Sequence, residues 1–127
     1  MAREVILFAS EARILTENSE KVVQVGNEDY RGVWLYLNVT AGSGTTPTLD
    51  VKLQRQEPAG DAWLDIAGAV FVQATGTTTD QLTVYPTMTA AANDVVREHI
   101  GGAFRAVATI GGTTPSFTFT LAGYLLR

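Results

Sequence analysis

The sequence predicts an all-β protein, a single-domain antiparallel β-sandwich of the jelly-roll or immunoglobulin-like kind. Short runs of alternating apolar and polar residues recur along the whole chain, and this period of two is typical of half-buried strands. Joints rich in glycine, proline and threonine separate these runs, which is typical of sandwiches and barrels. The 127 residues fit one domain, and a hydrophobic content of 46% is enough for a packed core.

The clearest strand signal is Gly32–Thr40, where Leu35 and Leu37 share one face while Trp34 and Tyr36 share the other. A second clear alternation covers Thr48–Gln56, with leucine and valine facing one side and polar residues facing the other. This pattern indicates an antiparallel sheet with one solvated face. Further strands are predicted at Val5–Ala9, Lys21–Val25, Trp63–Ile66, Ala69–Gln73, Gln81–Tyr85, Ala103–Ile110 and Ser116–Leu126.

Two segments do not follow the strand pattern. Ser10–Glu20 is polar and is interpreted as a connector that can hold one helical turn. The segment near 87–99 has helix propensity over two or three turns and predicts either one short helix or a long loop. The chain therefore divides into an N-terminal arm and connector, residues 1–20, and a β-sandwich, residues 21–127.

One internal similarity stands out. The segment Gly44–Leu53 aligns with Gly112–Leu121, and five of the ten positions are identical. Both copies begin with glycine, two threonines and proline, residues that favour turns and extended geometry. We expect the two copies to be equivalent hairpin loops of one sandwich, with the proline at the start of a strand.

Composition excludes several classes of protein. The chain has no cysteine, which excludes disulfides, thiolate nucleophiles and zinc–thiolate sites. Its longest N-terminal apolar run, Val5–Ala9, is too short for a membrane span, and Glu4 precedes it where a signal peptide is basic. The net charge of −4 disfavours direct binding to nucleic acid. We expect a soluble protein made in a cytoplasm, with no membrane partner.

The sequence offers little that predicts catalysis. His99 is the single histidine, and no second histidine or cysteine is present to complete a transition-metal site with it. The nearest carboxylate groupings, Glu28 with Asp29 and Asp61 with Asp65, lie beside turns and are interpreted as solvated charges. Asn38 begins a glycosylation pattern inside a strand and is interpreted as accidental. We expect no enzymatic activity, no cofactor and no metal.

Two groups of residues are candidates for contact with a partner. Trp34 and Tyr36 point outward if the alternating leucines face the core, toward a second layer, a partner protein or a carbohydrate. The other group is the apolar run Val5, Ile6, Leu7 and Phe8. It either docks on a neighbouring copy or on another protein by strand addition, or it pairs within its own sandwich.

The stretch Arg31–Thr45 resembles a group of small structural proteins of tailed bacteriophages and prophages. The likeness continues through Gly76–Pro86, Ala90–Asn93, Phe104–Val107 and Gly112–Phe119, and it covers roughly residues 31–121. It implies a virion component, most plausibly a head decoration or cement protein with a β-sandwich core and no catalytic residues.

The function implied by this resemblance is mechanical. Such a protein binds the major capsid protein on the outer surface of the shell, often as a homotrimer, and stabilises the shell through many modest contacts. Its location would be the virion surface after synthesis in the host cytoplasm. The alternative is a receptor- or carbohydrate-binding β-sandwich module on the phage tail or head.

Overall fold

The computed structural model describes residues 3–25, 29–59 and 61–127, and across these ranges the chain consists of strands, turns and loops without a helix. The all-β, single-domain, sandwich-like fold predicted from the alternation is confirmed. Every strand pairing is antiparallel except that between β6 and β7. The strands are β1 Arg3–Arg13, β2 Glu17–Asn18, β3 Val23–Gln24, β4 Gly32–Gln56, β5 Trp63–Val70, β6 Thr78–Val84, β7 Val95–Val96 and β8 Ala103–Leu126.

The two long strands β4 and β8 form an antiparallel ribbon through the whole molecule. Their pairing extends from Gly32 opposite Leu126 to Arg55 opposite Phe104. Each long strand joins two segments that the sequence predicts as separate strands. β1, β6 and β7 complete the sheet around one half of the ribbon, and β2, β3 and β5 complete it around the other half.

The inward faces of both halves share one hydrophobic core. Contacts at the sheet edges bring the halves together: the Glu20 amide donates to the Leu7 carbonyl at 2.9 Å, and β5 packs against β6 and β7. The largest fully buried side chains come from both halves, and they are Leu7, Phe8, Leu35, Leu37, Leu49, Leu53, Ile66, Phe71, Leu82, Phe104, Phe117 and Phe119.

The two glycine-threonine-threonine-proline motifs are not hairpin loops, and this expectation from the sequence is wrong. They lie inside β4 and β8, opposite each other at the centre of the ribbon, with Thr45 paired to Thr113. We call these two motifs, residues 44–47 and 112–115, the paired corners. Gly44 and Gly112 have φ of 115° and 113°, and a Cβ on either glycine would come within 2.8 Å of a carbonyl oxygen of the opposite corner. The corners therefore act as matched irregularities at which both strands shift register.

The paired corners belong to a larger internal pseudo-symmetry. Residues 3–56 and residues 63–126 each contain short strands followed by one long strand. Apart from β7, which pairs with β6, the short strands of each half pair with the long strand of the other half: β1, β2 and β3 pair with β8, while β5 and β6 pair with β4. The two halves are therefore intertwined rather than stacked side by side.

The N-terminal run forms a strand within its own sheet. β1 pairs with β8 from Arg3 opposite Leu125 to Arg13 opposite Phe117, with irregularities on both sides of Phe8. The first of these allows the consecutive residues Leu7 and Phe8 both to face the core. Of the two alternatives drawn from the sequence, pairing within the chain is the one that the structure adopts.

The two segments that do not follow the strand pattern in the sequence also have definite structure. The Ser10–Glu20 segment holds no helical turn, because β1 continues to Arg13 and β2 follows at Glu17–Asn18. The segment near 87–99 is the long loop of the two alternatives, and it contains the short strand β7. No helix in the described ranges is long and apolar enough to cross a membrane.

Candidate functional site

An aromatic surface lies on the outer face of the half-sheet formed by β1, β8, β4 and β6. Leu35 and Leu37 are buried, so the alternate side chains of β4, Trp34 and Tyr36, point outward as the sequence pattern predicts. Tyr124 of β8 lies directly opposite Trp34 and points the same way. The side chains of Tyr36 and Tyr124 are 39% and 43% exposed, and Trp34 between them is half-buried.

The three rings form an ordered row, which we call the aromatic row. The ring centroids of Trp34 and Tyr36 are 6.3 Å apart with an angle of 16° between planes, and those of Trp34 and Tyr124 are 6.0 Å apart at 12°. Because Trp34 stacks on both neighbours, each ring restricts the others. The row therefore offers a large amphipathic surface whose side chains lose little conformational entropy on binding.

Polar groups border the aromatic row on the β6 side. The Trp34 indole nitrogen donates to the side-chain oxygen of Gln81 at 3.0 Å, which fixes the orientation of the ring. Thr79, on the same face of β6 as Gln81, continues this border along a shallow groove of about 370 Å³ that is also lined by Trp34 and Tyr36. The groove combines aromatic rings with hydroxyl and amide groups, a combination suited to ligand binding.

An apolar side chain extends the aromatic row on the β1 side. Ile6 is 49% exposed and pairs with Ala122, which in turn pairs with Tyr36. Of the six predicted contact residues, the structure thus brings Ile6, Trp34 and Tyr36 to one outer face. Val5, Leu7 and Phe8 are at most 7% exposed and pack in the core of their own chain.

Tyr124 is a site residue that the sequence analysis did not single out. A signal for it exists, because Leu121 and Leu125 alternate inward and place Tyr124 on the outer face. Its position beside Trp34, however, depends on the register between β4 and β8. That register cannot be read from either strand alone.

The candidate catalytic residues do not form a constellation. His99 is exposed, and its Nδ1 accepts the Gly101 amide at 3.0 Å, which ties it to its own loop. Within the described ranges there is no group of three or more histidine, aspartate or glutamate side chains that could hold a metal. Glu28 lies outside the described residues.

Asp65 and Asn38 also contact neighbouring residues of the sheet. Lys52 and Gln54 hydrogen-bond to the Asp65 carboxylate at 3.1 Å and 2.9 Å. The hydrogen bond from Gln54, followed by that from Lys52, lowers the pKa of this exposed carboxyl. Asn38 is half-buried within β4, paired with Thr79 and Thr120. Both residues therefore form part of the polar surface of the sheet.

Comparison of the chain with protein-family models, curated proteins and solved structures finds no match. The functional argument therefore rests on the chemistry of the aromatic row.

Proposed function

We propose that this protein is a structural virion component that binds the outer surface of a tailed-phage capsid and stabilises the shell. The observation that carries the proposal is the row of three nearly parallel aromatic rings, two exposed and one half-buried, on the outer face of a sheet whose other face is core. Exposed aromatic clusters of this kind are typical of protein interfaces.

The arrangement of the row supports protein contact in particular. Trp34 is at the centre, a tyrosine flanks it on each side, and Ile6 extends the apolar area. Gln81 and Thr79 provide a polar border. A central aromatic anchor with surrounding contacts that exclude water is the usual anatomy of an interface hot spot.

The resemblance to phage structural proteins supports the choice of partner. Trp34 and Tyr36 fall inside the stretch Arg31–Thr45 on which that resemblance begins. The partner in this proposal is the major capsid protein, with the protein itself assembled as a homo-oligomer, a trimer being favoured. Many copies on a repeating lattice would convert a modest contact into strong attachment.

The first prediction tests the aromatic row on capsids. A Tyr36→Ser, Tyr124→Ser double variant should lose co-sedimentation with capsids made from the genome that encodes this chain, because interface anchors of this type contribute roughly 2 kcal/mol or more each. The matched control is Leu64→Ser, Val70→Ser, which removes two side chains 49% and 43% exposed from the other half-sheet. This control should sediment with capsids like the unaltered protein.

Quantitative mass spectrometry of purified virions completes the test. Hundreds of copies per particle are expected for a decoration protein, whereas only a few copies would contradict the proposal. Normal capsid binding by the double tyrosine variant would exclude the aromatic row as the contact.

A carbohydrate- or receptor-binding module is the second candidate. The observation that favours it is the mixture of aromatic rings with the Thr79 and Gln81 side chains in one groove, since sugars need both apolar faces and hydrogen-bonding partners. Binding of the protein to immobilised oligosaccharides, lost in the double tyrosine variant and accompanied by no capsid binding, would establish this alternative.

A further inference from the structure

A buried arginine lies where β1 ends and the chain crosses to the other half-sheet. We call residues 14–22, which connect β1 to β3 and include β2, the strap. The Arg13 side chain immediately before the strap is only 4% exposed. Its guanidinium contacts three carboxylates, those of Glu11 at 3.6 Å, of Glu17 at 3.4 Å and of Glu20.

The Arg13 guanidinium is enclosed beside aromatic rings, so its positive charge depends on these carboxylates for compensation. The guanidinium lies over the rings of Phe8 and Phe119, with distances of 4.9 Å and 5.6 Å to their centroids. One nitrogen donates to the Ala9 carbonyl at 3.0 Å, while Nε is buried without a hydrogen-bond partner. A cation enclosed in this way is costly unless anions compensate its charge.

Two of the three carboxylates belong to the strap and attach it to β1. Glu20 accepts hydrogen bonds from Arg13 and from the Ala9 amide, the latter at 3.2 Å. Glu17 reaches Arg13 from β2, where it pairs with Ala108 of β8. We call Arg13 and its three carboxylate partners the clamp, which joins the strap, β1 and the core in one network of charges.

Uncharged hydrogen bonds hold the strap at Ser19 and Glu20, and the Glu20 amide donates to the Leu7 carbonyl of β1 at 2.9 Å. The Ser19 amide donates to the Ala106 carbonyl at 2.7 Å, and the Ala106 amide donates to the Ser19 hydroxyl at 3.1 Å. Only two residues of β2, Glu17 and Asn18, pair with β8. So short a ladder contributes little stability by itself.

Charged groups face Arg13 from β1, from β2 and from the rest of the strap. β1 contributes Glu11, β2 contributes Glu17, and the strap contributes Glu20 with Lys21 beside it. The described contacts from β8 come from the ring of Phe119, which is uncharged. Arg13 is therefore the one buried cation of the cluster, and protonation of the carboxylates removes its compensating charge.

We propose that the strap is an acid-released element, which is held against β8 by the Arg13 clamp at neutral pH and detaches locally when the surrounding carboxylates are protonated. Detachment would hydrate the guanidinium and uncover the backbone of β8 around Ala106–Ala108. An uncovered strand edge can accept another strand. This inference does not depend on the function of the aromatic row.

The direction of the pH effect follows from the hydrogen bonds. The Arg13 side chain, and next the Ala9 amide, lower the pKa of Glu20 from its ordinary value of 4.5. A carboxyl with a lowered pKa stabilises the closed form at pH above its ordinary value. That stabilisation is lost as the pH falls through the lowered value.

Hydrogen–deuterium exchange measured peptide by peptide tests the proposal on the full chain, after correction for the intrinsic pH dependence of exchange. Peptides covering the strap should lose protection as the pH falls below 4.5, whereas peptides from 33–39 in β4 should keep it. Glu20→Gln should lose strap protection already at neutral pH. Arg13→Met, which removes the buried charge while keeping an apolar chain, should keep the strap protected at both pH values.

Asp65→Asn is the matched control, because Asp65 also has a lowered pKa but pairs with the partly exposed Lys52. This variant should open its strap at the same pH as the unaltered protein. Protection of the strap that is equal at neutral and acid pH in the unaltered protein would overturn the proposal. So would an Arg13→Met variant whose strap still opens in acid. If Arg13→Met does not fold, an unchanged pH dependence in Glu20→Gln would overturn the proposal instead.

Discussion

Phe119 connects the hydrophobic core with the charged clamp. Its side chain is fully buried and meets the ring of Phe8 edge-on, with 5.2 Å between the ring centroids. The Arg13 guanidinium covers the same pair of rings. A single aromatic residue of β8 therefore supports both the β1 strand and the cation that holds the strap.

Truncation of Phe119 should be costly. Phe119→Ala removes a fully buried ring and leaves a cavity beneath Arg13, so we expect the free energy of unfolding to fall by about 3–5 kcal/mol. Tyr124→Ala, on the outward face of the same strand, should cost about 1 kcal/mol or less. Urea denaturation of both variants measures the difference, and equal midpoints would contradict the assignment of Phe119 to the core.

At the scale of elements, the β4–β8 ribbon depends on close approach between two backbones. Gly123 pairs with Leu35, and a Cβ at Gly123 would lie 1.8 Å from the Trp34 carbonyl oxygen. The oxygen belongs to the backbone, so it cannot move aside without displacing β4. Only glycine, whose side chain is a hydrogen atom, therefore fits at position 123, directly beneath the aromatic row.

Gly123→Ala should destabilise the ribbon by about 1–3 kcal/mol, the usual cost of overpacking a close contact. Gly102→Ala provides the control, because a Cβ there would meet no atom within 4 Å. Thermal unfolding should show a lower midpoint for Gly123→Ala and little change for Gly102→Ala. If the two midpoints were the same, β4 and β8 could not approach each other at Gly123 as described.

At the scale of the whole molecule, the intertwined halves determine how the protein folds. Residues 3–56 contribute β1, β2 and β3 to the long strand β8, and residues 63–126 contribute β5 and β6 to the long strand β4. Among the described strands, β1 pairs only with β8. Neither half therefore contains a complete sheet. The core draws on both, with Leu35 and Leu53 of β4 beside Phe104 and Phe119 of β8.

Two fragments, residues 1–59 and residues 61–127, should therefore be largely unfolded alone and should recover β structure when mixed. The physical reason is that their pairing partners and half of the core lie on the other fragment. Circular dichroism of each fragment and of the mixture measures this. A control division inside the ribbon, into residues 1–43 and 44–127, should recover much less, and independent folding of either half would contradict the intertwined description.

The sequence by itself determined the fold class and the inward and outward faces of the strands. Alternation assigned Leu35 and Leu37 to the core and Trp34 and Tyr36 to the outer face, because side-chain direction in a strand follows a period of two. The internal similarity of the two corner motifs was also visible. A run of glycine, threonine and proline, however, is interpreted as a hairpin turn as long as the segment that pairs with it is unknown.

Only the tertiary structure decided which segments meet. The paired corners continue their strands because each corner pairs with the other across the ribbon. Leu7 and Phe8 both face inward because an irregularity in β1 shifts the alternation. The register between β4 and β8 places Tyr124 beside Trp34. The path of the strap places Glu20 beside Arg13. Such pairings depend on contacts between residues far apart in the chain, whereas alternation records only which side of its own strand each residue occupies.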